Sequence, residues 1–423
     1  MPSPVAQVRT WLGRRYLRKL RERNFDFTDL RLLPESALVP LRRDGLDPVP
    51  ELLRLGERGP ITRLPLRLGV PVWLVTGHAL AKSVLSDTDA FSNDFAHLDA
   101  AGIDAGLDPG GLGFSDAPAH TRLRRLLAPE FTVRRLNALT ARIEEIVADR
   151  LDGMAAAGPR VDLVREFALP VPSLLICELL GVPYADRADF QRLSAARFNV
   201  VEGAGAPLSA LTESLAYLRD LVARQRRSPS DGLLGRLVRE HGDDIGDDEL
   251  AGLADGLLTG GFETTASMLA LGSLVLLRDP VAAARLRDDD TAVAPVVEEL
   301  LRYLTVVQVA FPRFARADIE LAGTRICRGD IVLCSLSAAD RDPTVGADLD
   351  RFDPGRDPQP HLAFGYGVHR CLGAELARRE LRVAYPALLR RFPDLRLAVP
   401  TEELEFRKIS LVYGIDALPV LLT

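Results

Sequence analysis

The strongest chemical signal in the chain is a single cysteine. Cys371 lies in the run Phe364-Gly365-Tyr366-Gly367-Val368-His369-Arg370-Cys371-Leu372-Gly373. From Leu372 to Arg391 the chain reads as an amphipathic helix, with Leu372, Leu376, Leu381 and Leu388 among its apolar positions. Free N–H groups and the dipole at a helix start hold a cysteine as thiolate. Glycines just before it let a flat, bulky group approach the main chain. Together these features suit a thiolate axial ligand to haem iron. Three other readings compete. A lone cysteine is ordinarily a small buried hydrophobe, but the glycine pair, His369 and a helix start share one short window here. A cysteine-nucleophile phosphatase loop wants arginine six positions on, where Ala377 stands. Covalent c-type haem needs Cys-x-x-Cys-His, which is absent from the chain.

The stretch resembles the haem-binding loop of the cytochrome P-450 superfamily, and three further segments extend the resemblance. Glu299-Leu300-Leu301-Arg302 is similar to that family's Glu-x-x-Arg helix. Gly260-Gly261-Phe262-Glu263-Thr264 is similar to its oxygen-activating helix segment, and His120-Thr121-Arg122-Leu123-Arg124 to the helix crossing one haem edge. The segments occur in the family's order and span Asp116 to Gly373. Two small departures, Gly260 where alanine is frequent and Asp340 where asparagine is common, touch neither the thiolate nor the proton path.

The resemblance implies a role for each residue. Cys371 ligates the iron of haem b. His120, Arg124, Arg313 and His369 contact the haem propionates, with His361 a weaker candidate. Glu299 and Arg302 form a buried structural pair, where an exposed pair at this spacing would contribute little. Thr264 orients a water or the bound oxygen, and Glu263 relays protons to it, since general acid chemistry needs a donor within hydrogen-bond reach. The structural alternative for the last two is that Thr264 bonds back to the i−4 carbonyl and Glu263 forms a buried salt bridge.

These residues must be positioned by a mainly α chain with small β-sheets, read as one large domain over residues 1–423. The composition is ordinary for a globular protein: 423 residues, 47% hydrophobic and 26% charged, with a net charge of −6 that argues against a general nucleic-acid partner. Ile61–Leu66 and Val70–Val75 read as a hairpin around Gly69. Leu136, Leu139, Ile143, Val147 and Leu151 mark a long helix, and further helices follow at Leu174–Leu180, Asp186–Phe198 and Ala210–Arg226. Asp247, a candidate N-cap, opens a long apolar helix running to about Leu277 through the centre. Arg313–Ser337 alternates like strands, with turns at Gly323 and Gly329. A basic helix at about 5–23 (Arg9, Arg14, Arg15, Arg18, Lys19, Arg21 and Arg23 against Glu22) packs on the domain or precedes it. Four cysteines without paired spacing and the absence of a signal peptide indicate a cytoplasmic setting. The longest apolar run, Met268–Leu277, is about half a membrane span.

The expected activity is a haem-thiolate monooxygenase that inserts one oxygen atom from O₂ into an apolar organic substrate. Its pocket draws on Asn93–Phe114, Phe198–Leu208, Leu257–Thr265, Val306–Phe311 and Ile409–Gly414. No nucleotide-binding glycine motif follows a strand, so electrons are expected from a ferredoxin and ferredoxin reductase. Arg122, Arg125, Arg134, Arg135, Arg370, Arg378 and Arg379 are candidates for the docking face. Two other classes stay open: oxidative coupling or desaturation on the same fold, and a haem-based binder or sensor that never turns over.

Overall fold

The computed structural model describes residues 34–66, 71–97, 111–196 and 205–422. The basic N-terminal helix, the Gly69 turn and parts of the first two pocket segments lie outside them. Helices dominate. The large core is built from Val133–Ala157, Pro170–Leu180, Asp247–Gly261, Glu263–Arg278, Asp290–Leu304 and Ala374–Arg391. A second core lies beneath a five-stranded sheet, in the order Ile61–Arg63, Val72–Val75, Ile331–Cys334, Arg313–Ala315, Phe91–Ser92. Ile331–Cys334 runs parallel to Val72–Val75, with Val332 opposite Trp73, and the other pairs are antiparallel. The sheet joins distant segments, so Arg313 is placed beside the Phe91–Asn93 corner that leads toward His120.

The long apolar helix is interrupted. It runs Asp247–Gly261, breaks at Phe262 (φ −82°, ψ −68°), and resumes at Glu263–Arg278. Two adjacent glycines destabilise a helix interior by about 1 kcal/mol each relative to alanine, so Gly260-Gly261 is where this helix yields. Its N-cap is Gly246 rather than Asp247, which is the first helical residue and pairs with Arg226 at 2.9 Å. The combined stretch is long and apolar enough to cross a membrane by length and composition, but most of it is buried within the protein. The second half packs tightly on Ala374–Arg391. Tyr385 donates to the Met268 carbonyl, and Gly272 leaves the space that the Tyr385 hydroxyl occupies.

Glu299 and Arg302, one turn apart on Asp290–Leu304, form a buried bidentate pair at 2.7 and 2.8 Å. The remaining guanidinium hydrogens go to the carbonyls of Asp340, Leu349 and Arg351. Glu299 also accepts from the Asp353 amide and from Arg356. The pair therefore holds the irregular 340–356 segment, whose Asp340 carboxylate takes the Leu362 amide at 2.6 Å and the Thr305 hydroxyl at 2.8 Å. Leu362 is the residue from which the Cys371 loop departs. Replacing Glu299 with Gln leaves a buried guanidinium without its counter-charge. Expected destabilisation is about 3–5 kcal/mol, read by denaturant unfolding, with the loop's ligand binding lost before secondary structure.

Candidate functional site

The loop before Cys371 is shaped by two left-handed glycines, Gly365 (φ +67°) and Gly367 (φ +74°). Gly367 also packs against the Leu85 carbonyl so closely that no Cβ fits. Gly365 N–H donates to Leu362 O at 2.7 Å, and Cys371 N–H returns to Phe364 O at 2.9 Å, closing the loop on itself. The helix starts at Ala374 rather than Leu372, so Cys371 sits one short turn ahead of it. The sulfur keeps some accessible surface but is otherwise crowded by protein. That desolvation raises its thiol pKa, against the opposing pull of the Gly373 N–H, Arg370, Arg124 and Arg378. A bound metal deprotonates a coordinating thiol outright.

Beside the loop, four basic groups converge. The His120 and His369 rings stand 4.2 Å apart, tilted by 46°. His120 Nε2 and His369 Nδ1 are buried and have no hydrogen-bond partner. Desolvation lowers the pKa of His369 to about 4, helped by His120 and Arg313. Desolvation likewise lowers His120 and the buried Arg313. Arg124 donates to Arg370 O at 2.9 Å, and Arg313 to Phe311 O at 3.0 Å. The nearest carboxylate, Asp116, is already engaged by Ser92, the Asn93 amide and Arg316. A cavity of about 800 Å³ opens here, lined by Asp116, His120, Thr121, Arg124, Arg316 and His369. Two arginines beside two buried imidazoles with orphaned nitrogens favour an anion. The two carboxylates of a haem would meet that demand, and Cys371 would supply a ligand to its iron.

Glu263 and Thr264 open the resumed helix. Thr264 Oγ1 donates to Gly260 O at 2.7 Å. Glu263, buried, accepts from Arg407 Nη1 at 2.6 Å. Both bonds belong to the structural alternative, and the two side chains do not bond each other. Burial still lifts the Glu263 carboxyl to about 7, although Arg407 pulls it down. No local pattern in the sequence points to Arg407. A carboxylate in an apolar run calls for a cation somewhere, but nothing in the sequence says which arginine, 144 positions away, supplies it.

Three of the five pocket segments meet. Phe114 packs on Phe311 at 4.5 Å, and Gln308 N–H bonds Leu411 O at 3.0 Å. Phe311 and Leu411 are exposed hydrophobics, and Gly260 is exposed too. His361 does not join the cation group, because it pairs with Glu298 at 3.1 Å. Among the docking candidates, Arg122, Arg135 and Arg378 are neutralised by Glu249, Glu130 and Glu298, and Arg379 bonds Thr140. Arg125, Arg134 and Arg370 are exposed and form no ion pair among the described residues.

Comparison with known proteins gives relatives over most of the chain. The family model described as Cytochrome P-450 matches residues 208–405. Cytochrome P-450 SU2 of Streptomyces griseolus is 42% identical over 92% of this chain and 97% of its own length. Vitamin D3 dihydroxylase of the same species is 42% identical over 86% of this chain and 90% of its own. Among solved structures, OxyE, titled as involved in teicoplanin biosynthesis, superposes with a TM-score of 0.84 at 41% identity, covering 90% of this chain and 99% of that one. StaH, from glycopeptide antibiotic biosynthesis, gives 0.81 at 43% identity, covering 90% and 99%.

Leucine at His120 or His369 removes a charge-assisted partner for a bound carboxylate, worth about 1.5–3 kcal/mol each. Each variant is expected to release haem faster to a haem-scavenging protein, and the double variant faster still, with the fold unchanged by circular dichroism.

Proposed function

The chain belongs to the cytochrome P-450 family, and from that premise we propose that it inserts one oxygen atom from O₂ into an apolar organic substrate by hydroxylation or epoxidation. It is a haem-binding monooxygenase by family. The finer reading assigns haem b, ligated by Cys371 and held by His120, Arg124, Arg313 and His369. When bound, the haem supplies the redox chemistry that activates O₂. What this chain's own residues do is bind the substrate, exclude water and control protons.

One observation carries the reading: a buried carboxyl, Glu263, whose pKa lies near 7, adjoins a half-buried Thr264 where the core helix breaks. A general acid works best with its pKa near the operating pH. A haem binder that never turns over has no use for one. Thr264, with its hydroxyl at the open face beside Gly260, orients the oxygen or a water, and Glu263 feeds it protons. Exposed Phe311 and Leu411 offer apolar surface to the substrate. The relative named as a dihydroxylase supports hydroxylation, and those titled for antibiotic biosynthesis support a secondary-metabolic substrate. Electrons come from a ferredoxin and its reductase, with Arg125, Arg134 and Arg370 as the free cations of the docking face.

The two members of the pair are expected to fail differently. Thr264→Ala keeps NADH consumption but diverts it to hydrogen peroxide, so product per NADH falls. Glu263→Gln slows turnover overall, on the order of 10²-fold, the lower end of general acid–base contributions. With its pKa at about 7, Glu263 is neutral and able to donate below that pH and ionised above it. The wild-type rate should therefore decline as pH rises through about 7, and Glu263→Gln should flatten that limb. Wild-type coupling and an unchanged pH profile in both variants would return the pair to a purely structural role.

A further inference from the structure

A second cleft, of about 310 Å³, borders the Cys371 loop. Distant segments wall it: the start of the His78–Ser86 helix, residues 359–362, and the loop at Gly365, Tyr366 and Arg370. The loop reaches that helix because Gly367 packs against the Leu85 carbonyl, where no Cβ fits. The acids at the cleft are already engaged. Asp342 takes the His78 backbone N–H at 2.8 Å and is bonded by the Thr344 amide and hydroxyl. Glu298 is held by Arg378 at 2.7 and 2.9 Å, by Arg382 at 3.2 Å and by His361 at 3.1 Å.

Four polar side chains that line the cleft are not engaged. His78 is 5% exposed, and its Nε2 is buried without a hydrogen-bond partner. Lys82, one turn further along the helix, lies with its ammonium over the Tyr366 ring at 4.8 Å and forms no ion pair among the described residues. The Gln359 amide and the Arg370 guanidinium make no hydrogen bond or ion pair among those residues either. Burial lowers the pKa of the His78 ring, whereas a hydrogen bond to the Pro360 carbonyl raises it. A neutral ring with that bond keeps its proton on Nδ1, which leaves Nε2 as a lone-pair acceptor.

One acceptor among three donors selects its ligand narrowly. Lys82, Gln359 and Arg370 donate, and two of them are cations, so they favour an oxyanion. His78 Nε2 needs a partner that itself carries a hydrogen. Sulfate and ionised carboxylates carry none. A phosphate monoester has lost its last proton by neutral pH, with a pKa of about 6. Inorganic phosphate keeps an O–H there. We propose that this cleft is a binding site for inorganic phosphate, with Lys82, Gln359 and Arg370 on its oxygens and His78 Nε2 accepting its hydrogen. Lys82 belongs to the helix and Arg370 to the loop, so the bound anion ties the two together. Arg370 is also one of the cations proposed for the docking face, and the test separates the two roles.

The test uses the haem-loaded protein in isothermal titration calorimetry at about pH 7.5, where a lowered imidazole is neutral. Inorganic phosphate, sulfate and phenyl phosphate are the separate probes, all at one ionic strength. Phosphate is expected to bind, and the other two roughly tenfold or more weakly, the usual effect of leaving one buried polar group unmatched. His78→Phe keeps a ring, removes the acceptor and should erase that preference. His78→Gln, with its amide oxygen, should restore part of it. Lys82→Gln should weaken all three anions alike. A reading that needs no variant is the unfolding midpoint of the wild type, which phosphate should raise and equal sulfate should not. Sulfate or phenyl phosphate binding as tightly as phosphate, or a preference that survives His78→Phe, overturns the proposal. So does a cleft that takes none of these anions while Lys82→Gln lowers the affinity for a ferredoxin, which would make it part of the docking face alone.

Discussion

A buried arginine that must satisfy every one of its donors constrains this structure more than any other interaction. Arg302 lies 2% exposed, where an unpaired charge is destabilising by several kcal/mol. Glu299 neutralises it, and three carbonyls between residues 340 and 351 take its other hydrogens. A segment with little regular structure is thereby fixed to a core helix. The constraint passes on through Asp340, whose buried carboxyl, raised to about 6, holds the Leu362 amide. The Cys371 loop leaves from that point. Placement of the sulfur is thereby linked to the Glu299–Arg302 ion pair.

The site is assembled from groups that the protein leaves electrostatically unsatisfied. The Cys371 thiol is desolvated and His369 is pushed down to about 4. His120 and His369 each keep a buried nitrogen without a partner. Unpaired buried polar groups are unfavourable by themselves. A planar, doubly anionic ligand with a thiophilic metal would resolve these demands at once. Near Thr264 the opposite holds, because Glu263 already has a partner in Arg407.

Periodicity and local spacing are legible in a sequence, and pairings across the fold are not. The 133–157 helix, the antiparallel pairing of 61–63 with 72–75 and the 319–326 strand pair follow from residues whose neighbours in sequence are also their neighbours in space. The cost of Gly260-Gly261 is legible too, but the apolar pattern runs on without interruption where the backbone breaks at Phe262. Arg407 is invisible, since only the fold brings it to Glu263. The arginines proposed for docking show the same limit. Sequence counts their charges, but the Glu249, Glu130 and Glu298 side chains that cancel three of them arrive from elsewhere.

The central claim is that the 364–373 loop presents Cys371 as a thiolate ligand to haem iron. The most direct test is the absorption spectrum of the reduced, CO-bound protein, compared with that of Cys371→His. A strongly red-shifted Soret band in the wild type, abolished in the variant while haem is still bound, is the result this account predicts. A wild type without that band, or a variant that keeps it, would contradict it.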